Sequence, residues 1–320
     1  MVTSEWPKAH APSTTNFIRR QAESLQAAGV AVDVFAFRGG KNPYNYATAW
    51  SHVRPKLLTG NYDLVHAQFG QSGLLALPKR LPLVVTLRGA DLLGIISDTS
   101  GLHTFGGRLL QQATRFVARQ ADAVILVSDH MRNHLRTRAP IHIIPSGLDL
   151  NLFRPIPRDV ARRQLGLDPN EHLALFVGRP YEVRKRPDLA RAAVEIVNRR
   201  LPTRLIIAWN IPHGTIPVYM SACDALLMTS SQEGSPNVVK EALACNLPVV
   251  SVQVGDVPER LRDIEGCEVT ADDRPETVAA ALERVLRRGQ RVDGRPAVES
   301  LAEPLLTQRV IDIYRSVLRH

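Results

Sequence analysis

Residues 224–259, DALLMTSSQEGSPNVVKEALACNLPVVSVQVGDVPE, read in succession as strand, loop, helix and strand. Residues 225–228 and 249–252 are uninterrupted apolar runs of strand length, and the apolar and small residues of 237–245 lie between them as a helix. Ser235 is a good N-cap residue and Pro236 suits the first helical position, so the amides of Asn237, Val238 and Val239 should point out of the helix start. Such a start favours a phosphate group through hydrogen bonds and the helix dipole. Glu233 sits on the loop just before it, and Glu241 lies one to two turns inside. One carboxylate can thus face a sugar and the other a ribose, with phosphate between them. The same spacing also fits a helix cap with two solvated glutamates.

The alternation continues on both sides. Downstream of the midpoint, 174–177, 204–208 and 267–269 read as strands, with helices over 187–199 and 275–287. In the first half, 31–37, 62–67, 83–87, 123–127 and 142–144 read as strands. Phe17, Ile18, Ala22 and Leu25 share one face of a helix that Gly29 stops. Pro155, Pro157 and Pro169 surround one short helix and mark a domain connection. The pattern is α/β: two Rossmann-like, doubly wound parallel-sheet domains facing across a cleft. The expected limits are 1–152 and 153–305, with a C-terminal helical stretch over 299–318 whose end, 306–320, packs back on the first domain. There is no GxGxxG and no GxxxxGK[ST], which removes the main support for a dinucleotide oxidoreductase or a P-loop enzyme.

Composition excludes other classes. The 320 residues are 44% hydrophobic and 22% charged, an ordinary globular mix. The longest apolar runs, such as 81–87, have strand length, so no membrane span is expected. Glu5, Trp6 and Pro7 break any signal-peptide core. Cys223, Cys245 and Cys267 form no CxxC pair, which fits a reducing cytoplasm. Net charge is +9, of which residues 1–150 carry +7, so an anionic partner is expected on that half. The basic residues are scattered and few aromatics interleave with them, which argues against nucleic acid.

A second motif is LFVGRPYEVRKRPDL, residues 175–189. Gly178 ends a strand, and Arg179 and Lys185 follow on the loop before a helix, where two cations can neutralise a leaving diphosphate. Arg184 competes with Lys185 for the second role. No acidic DxD triplet offers a metal site, so fixed cations would do that work. DLVHAQFGQSG (63–73) and PLVVTLRGADLLG (82–94) place His66, Arg88, Gly89 and Asp91 at strand ends facing the cleft, as acceptor-side candidates. Arg88 also fits a structural partner of Asp91, and His66 a satisfied histidine beneath the cleft floor. His10 is a weaker candidate.

The segment from 224 to 259 resembles glycosyltransferase group 1, also called family 4. The signature is Glu233, seven residues and Glu241, a small-residue helix, the strand beginning Pro248, Val249 and Val250, and the turn Gly255–Asp256. ADAVILVSDHMRNHL (121–135) and IIPSGLDLNLFRP (143–155) extend the resemblance, with Ser146 where the family usually has Asn, while Gly147 and Asp149 remain. The resemblance implies a GT-B fold and retaining transfer of a hexosyl unit from a nucleotide-diphosphate sugar to a hydroxyl acceptor, sugar or lipid-linked, in cell-surface polysaccharide or glycolipid synthesis. It assigns Glu233 to the donor sugar hydroxyls, Glu241 to the ribose, and Arg179 and Lys185 to the diphosphate. Gly178, Gly234, Ser235, Asn237, Val238 and Val239 complete the donor site. No cofactor and no metal are implied beyond the nucleotide sugar itself.

The sequence departs from the family at Arg88, where many relatives have His, and in the five rather than four residues between Arg179 and Lys185. The loop EWPKAHAPSTTNF lacks the usual glycines and offers Ser13, Thr14 and Thr15 instead. Few residues precede it, so the first strand is short or the start lies upstream. The chain is compressed between Ala208 and His213, so a smaller second domain is expected. An anionic membrane surface is a candidate partner, met by helices containing Arg19–Arg20 and Arg54–Lys56, for a cytoplasmic protein peripheral to the inner face. A nucleotide-sugar epimerase and a non-catalytic nucleotide-sugar-binding protein are the rival readings. Incubation with donor alone yields an epimer only for the first, and no acceptor yields turnover for the second.

Overall fold

The computed structural model describes residues 1–7, 16–40, 42–96 and 102–319; His10, Ser13, Thr14 and Thr15 lie outside them. The strands are β1 (Val2–Thr3), β2 (Phe35–Ala36), β3 (Val65–Gln68), β4 (Leu83–Leu87), β5 (Ala123–Leu126) and β6 (Ile141–Ile143), then β7 (His172–Val177), β8 (Thr203–Ala208), β9 (Ala225–Met228), β10 (Val249–Ser251) and β11 (Glu268–Val269). The helices are α1 (Asn16–Ala27), α2 (Pro43–Thr59), α3 (Ala90–Leu93), α4 (Phe105–Gln120), α5 (Arg158–Leu165) and α6 (Pro187–Asn198), then α7 (Ile216–Ala222), α8 (Asn237–Ala244), α9 (Val257–Leu261), α10 (Pro275–Arg288) and α11 (Glu303–Leu318).

The chain divides into two compact units. Met1–Gly147 with Glu303–His320 form unit 1, and Leu148–Ala302 form unit 2. The limits therefore fall at 147/148 and 302/303, not at 152/153 and 305/306. The Leu148 amide donates to Leu301 O, so both crossings of the boundary are made side by side. The terminal helix starts at Glu303 rather than Glu299, because Pro304 cannot sit in a helix interior, and residues 296–301 form a 3₁₀ turn instead.

Unit 1 carries a parallel sheet of order β2-β1-β3-β4-β5-β6. Its central strand β4 is buried along its whole length, as a parallel strand covered on both faces must be. β2 is two residues long rather than the seven of 31–37, since it pairs only with β1, which itself has two. α1 buries Ile18, Ala22 and Leu25 and ends before Gly29, whose φ of +86° suits glycine. Unit 2 carries a second parallel sheet, of order β11-β10-β9-β7-β8. Among the described residues no helix is long and apolar enough to cross a membrane.

Candidate functional site

In unit 2 the strands beside β7 are β8 on one side and β9 on the other. The chain order reverses there, the position in an open parallel sheet where ligands are generally bound at the carboxyl ends of the strands. The β9 loop clamps the β7 loop. Thr229 Oγ1 donates to Lys185 O (2.9 Å) and Arg186 O (3.0 Å), and the Ser231 amide donates to Arg184 O (2.9 Å). The clamp brings Lys185 Nζ to 2.7 Å and Arg184 Nη1 to 2.8 Å from the same oxygen, Glu233 Oε1. Arg184 also donates to Gln232 O and to Glu182 Oε1.

Burial pushes the Glu233 carboxyl up, but the Lys185 and Arg184 cations outweigh it and hold the group below its ordinary value. Glu233 is therefore a fixed carboxylate at neutral pH. The two cations weighed as rivals act together on one oxygen. Arg179 stands apart: it is exposed, with its guanidinium 5.3 Å from the centre of the Trp209 ring, and it makes no ion pair among the described residues. Trp209 in turn meets the Tyr181 ring edge-on. Gly178, just before Arg179, has φ +156°, which L side chains rarely adopt.

α8 begins one residue later than the sequence suggested. Pro236 occupies the cap position with an extended ψ of 120°, and no side chain caps the helix. Ser235 is not the N-cap, because its hydroxyl donates to Asp256 Oδ2 (2.8 Å). Asn237, Val238 and Val239 thus open the helix, and their amides have no intrahelical acceptor. Ser230 Oγ, Gln232 Oε1, Asn237 Oδ1 and Asp256 Oδ1 are buried without hydrogen-bond partners around this loop. Each such atom costs about 1–3 kcal/mol unless water or a bound molecule meets it.

Gly255 has φ +57°, and a Cβ there would stand 2.8 Å from Gly234 O. Gly255→Val is expected to lower stability by about 2–3 kcal/mol, from strain and from displacing the Glu233 loop. Thermal melting checks this; an unchanged Tm would contradict the close approach.

Glu241 is buried on α8, with His213 Nε2 3.2 Å from its Oε1. The His213 ring packs edge-on against the fully buried Phe153 ring. No local pattern points to His213, since it lies 28 residues from Glu241.

The acceptor-side candidates of unit 1 are embedded rather than presented. His66 is buried, with Nδ1 2.5 Å from Tyr314 Oη and Nε2 2.7 Å from Thr86 Oγ1, and burial pushes its pKa down to about 3. It is neutral and enclosed by a helix from the far end of the chain, not directed from a strand end. Asp91 is also buried. It accepts from the amides of Gly70 (3.0 Å), Arg88 (3.1 Å) and Gly89 (2.9 Å), and so fixes the β3 and β4 loops. The Arg88 guanidinium does not bond Asp91. It donates to Gln68 Oε1, Gln21 Oε1 and Ser146 Oγ, and stacks 4.6 Å from the Phe17 ring centre. Burial lowers its pKa to about 10, so it stays charged at neutral pH. The cavity beside it measures about 20 Å³, room for a water molecule and not for a sugar.

Among the described residues no group of three or more His, Cys, Asp or Glu is placed to hold a metal ion. The family model described as Glycosyltransferase Family 4 matches residues 14–152, and the one described as Glycosyl transferases group 1 matches residues 210–288. The D-inositol 3-phosphate glycosyltransferase of Mycobacterium marinum is 30% identical, with 78% of this chain and 60% of the relative aligned. That of Rhodococcus erythropolis is 28% identical, over 71% of this chain and 60% of the relative. The chain thus spans about three-fifths of the length of these curated relatives. Among solved structures, sucrose-phosphate synthase from Thermosynechococcus elongatus superposes with a TM-score of 0.81 at 19% identity, over 95% of this chain and 93% of that one. HepE from Anabaena, solved with UDP and glucose, gives 0.73 at 17% identity, over 98% of both chains. The fold is GT-B, and the chain belongs to the group 1 glycosyltransferases.

Proposed function

We propose that the protein transfers a hexosyl unit, with retention, from a nucleotide-diphosphate sugar to a hydroxyl acceptor. The observation that carries this reading is the Glu233 carboxylate held by Lys185 and Arg184 at the strand-order reversal of unit 2, directly before the uncapped start of α8. Glu233 takes the donor sugar hydroxyls, the α8 amides take a phosphate, and Glu241 takes the ribose. Arg184 and Lys185 are already balanced by Glu182 and Glu233. Arg179 and the helix start therefore supply the positive potential that stabilises the leaving diphosphate. No cofactor or metal enters this scheme, and the departing phosphate oxygens serve as base for same-face attack. The relatives' printed names make a phosphorylated polyol the first acceptor to try; a sugar or lipid-linked hydroxyl of surface glycan synthesis is the wider class. The experiment is proton NMR of the product formed from a panel of nucleotide-diphosphate sugars. The donor's anomeric configuration should persist; an inverted product, or an epimer formed without acceptor, overturns the reading.

The ribose assignment has its own test. Hydrogen bonds to a charged group are worth about 1.5–3 kcal/mol. Glu241→Ala should therefore cut the preference for a ribonucleoside diphosphate over its 2′,3′-dideoxy analogue by about 10- to 100-fold. His213→Ala, which frees the carboxylate to turn, should cut it by a smaller factor. A calorimetric preference unchanged in both variants would remove Glu241 from the ribose.

A further inference from the structure

The sheet of unit 2 ends on one side in a bare strand. β8 closes the order β11-β10-β9-β7-β8 and has no neighbour beyond it. Its register with β7 runs unbroken from Thr203 to Ala208. The Gly178 amide donates to Ala208 O (3.2 Å), which sets the phase of the ladder. The main-chain groups of Arg204, Ile206 and Ala208 therefore turn to β7, and those of Leu205 and Ile207 turn outward. Among the described residues no hydrogen bond from another segment reaches the main chain of Leu205 or Ile207. The Thr203 amide, at the start of the strand, is met by Asn198 Oδ1 (2.9 Å). Residues 209–212 lead straight into the turn His213–Thr215 and are too few to return along the edge. Natural edges are blunted by a proline, a bulge or unpaired charges. β8 reads TRLIIA, and its single charge, Arg204, is tied to Glu171 Oε2 (2.7 Å). Leu205, Ile206 and Ile207 are partly exposed.

We propose that β8 pairs antiparallel with β8 of a second copy of this chain, about a two-fold axis at Ile206, so that two five-stranded sheets become one. This register sets Leu205 opposite Ile207 of the second copy on both sides of the axis. Each such pair exchanges both of its hydrogen bonds, so every outward N–H and C=O of the two residues is satisfied. Ile206 then faces Ile206 in a non-hydrogen-bonded pair, where β-branched side chains pack closely. Arg204 falls opposite Ala208, so the two arginines do not meet. α6 lies against β8 and exposes Asp188, Arg191, Glu195 and, at its C-cap, Arg199. Beside an antiparallel copy this order of signs meets its own reverse, Asp188 to Arg199 and Arg191 to Glu195, so the flanking helices do not repel. A strand that complements itself in hydrogen bonds and in charge selects a second copy over another partner. The inference concerns the edge of unit 2 and stands whether or not the protein transfers a sugar.

The test is sedimentation equilibrium of the full chain at rising concentration, with engineered cysteines to read the register. The wild type should pass from one chain toward two. Ile207→Pro should weaken association by about tenfold, because it removes an outward N–H that the single chain does not use. Proline is tolerated on an edge strand at such a position, so circular dichroism should be unchanged. Ile206→Cys should cross-link to its own copy on mild oxidation. Residues in a non-hydrogen-bonded pair stand about 4.5 Å apart at Cα, within the span of a disulfide. Arg204→Cys should not cross-link, because its copy lies about 13 Å along the ladder. The wild type, with its free Cys223, Cys245 and Cys267, is the control for oxidation. The inference is overturned if the wild type stays a single chain at every concentration, if folded Ile207→Pro associates as strongly as the wild type, or if Arg204→Cys cross-links as readily as Ile206→Cys.

Discussion

Glu233→Gln should lower kcat by about 10²- to 10³-fold while leaving the fold intact, because the amide keeps the size of the side chain and removes only its charge. In the proposed scheme the wild-type carboxylate has two duties. It fixes Lys185 and Arg184 through one oxygen, and its other oxygen is available to sugar hydroxyls whose bonds strengthen as the glycosidic bond breaks. With its oxygen toward the cations, glutamine meets the hydroxyls with a neutral donor instead of a charged acceptor; turned the other way, it sets its NH2 against two cations. Two cations also lose a counter-ion in a mostly buried place, at an expected cost of about 1–3 kcal/mol.

The pH dependence follows from the same contacts. The carboxyl sits below its ordinary value of 4.5 in the folded chain, so its stabilising contribution is full above pH 4.5 and is lost as pH falls through the lowered folded value. The stability gap between wild type and Glu233→Gln should therefore be constant at neutral pH and close on acidification below 4.5. Urea melts at several pH values measure it. A gap that widens on acidification would contradict the ion-paired carboxylate.

Asp91→Ala should destabilise unit 1 by about 3–5 kcal/mol, since it leaves the amides of Gly70, Arg88 and Gly89 without acceptors in a buried place. For a unit of this size the loss corresponds to a fall in Tm of roughly 10 °C. Asp91→Asn should lie between, because one of the two oxygens becomes a donor facing a donor. Scanning calorimetry distinguishes this role from an acceptor-binding one. A variant that melts like the wild type but no longer uses acceptor would return Asp91 to the substrate.

The contrast between Glu233 and Asp91 shows what the sequence could and could not reveal. β9, α8 and β10 form a local strand–helix–strand unit, and their limits were legible because apolar runs, small helical residues and Pro248 act over short distances. The Glu233–Lys185 pairing spans 48 positions and was not legible: the sequence set Lys185 against a diphosphate, and the adjacency of β7 and β9 brings it to the carboxylate instead. Where a distant residue decides, the sequence was silent. Asp256 takes the Ser235 hydroxyl from 21 positions away, so the helix loses its expected cap. Tyr314 closes over His66 from 248 positions away and turns a strand-end candidate into a buried, neutral ring. Asp91 accepts backbone amides from two strand loops, a role that residue type alone does not distinguish from binding an acceptor. β2 was overestimated because strand length depends on the partner strand, and β1 offers two residues.

The most direct measurement of the central claim is isothermal titration of wild type and Glu233→Gln with a nucleoside diphosphate and with the corresponding nucleotide-diphosphate hexoses. The account predicts that both proteins bind the bare nucleoside diphosphate alike, and that only the wild type gains affinity when the correct hexose is attached. It would be contradicted if neither ligand binds at millimolar concentration, or if Glu233→Gln keeps the whole of the hexose increment.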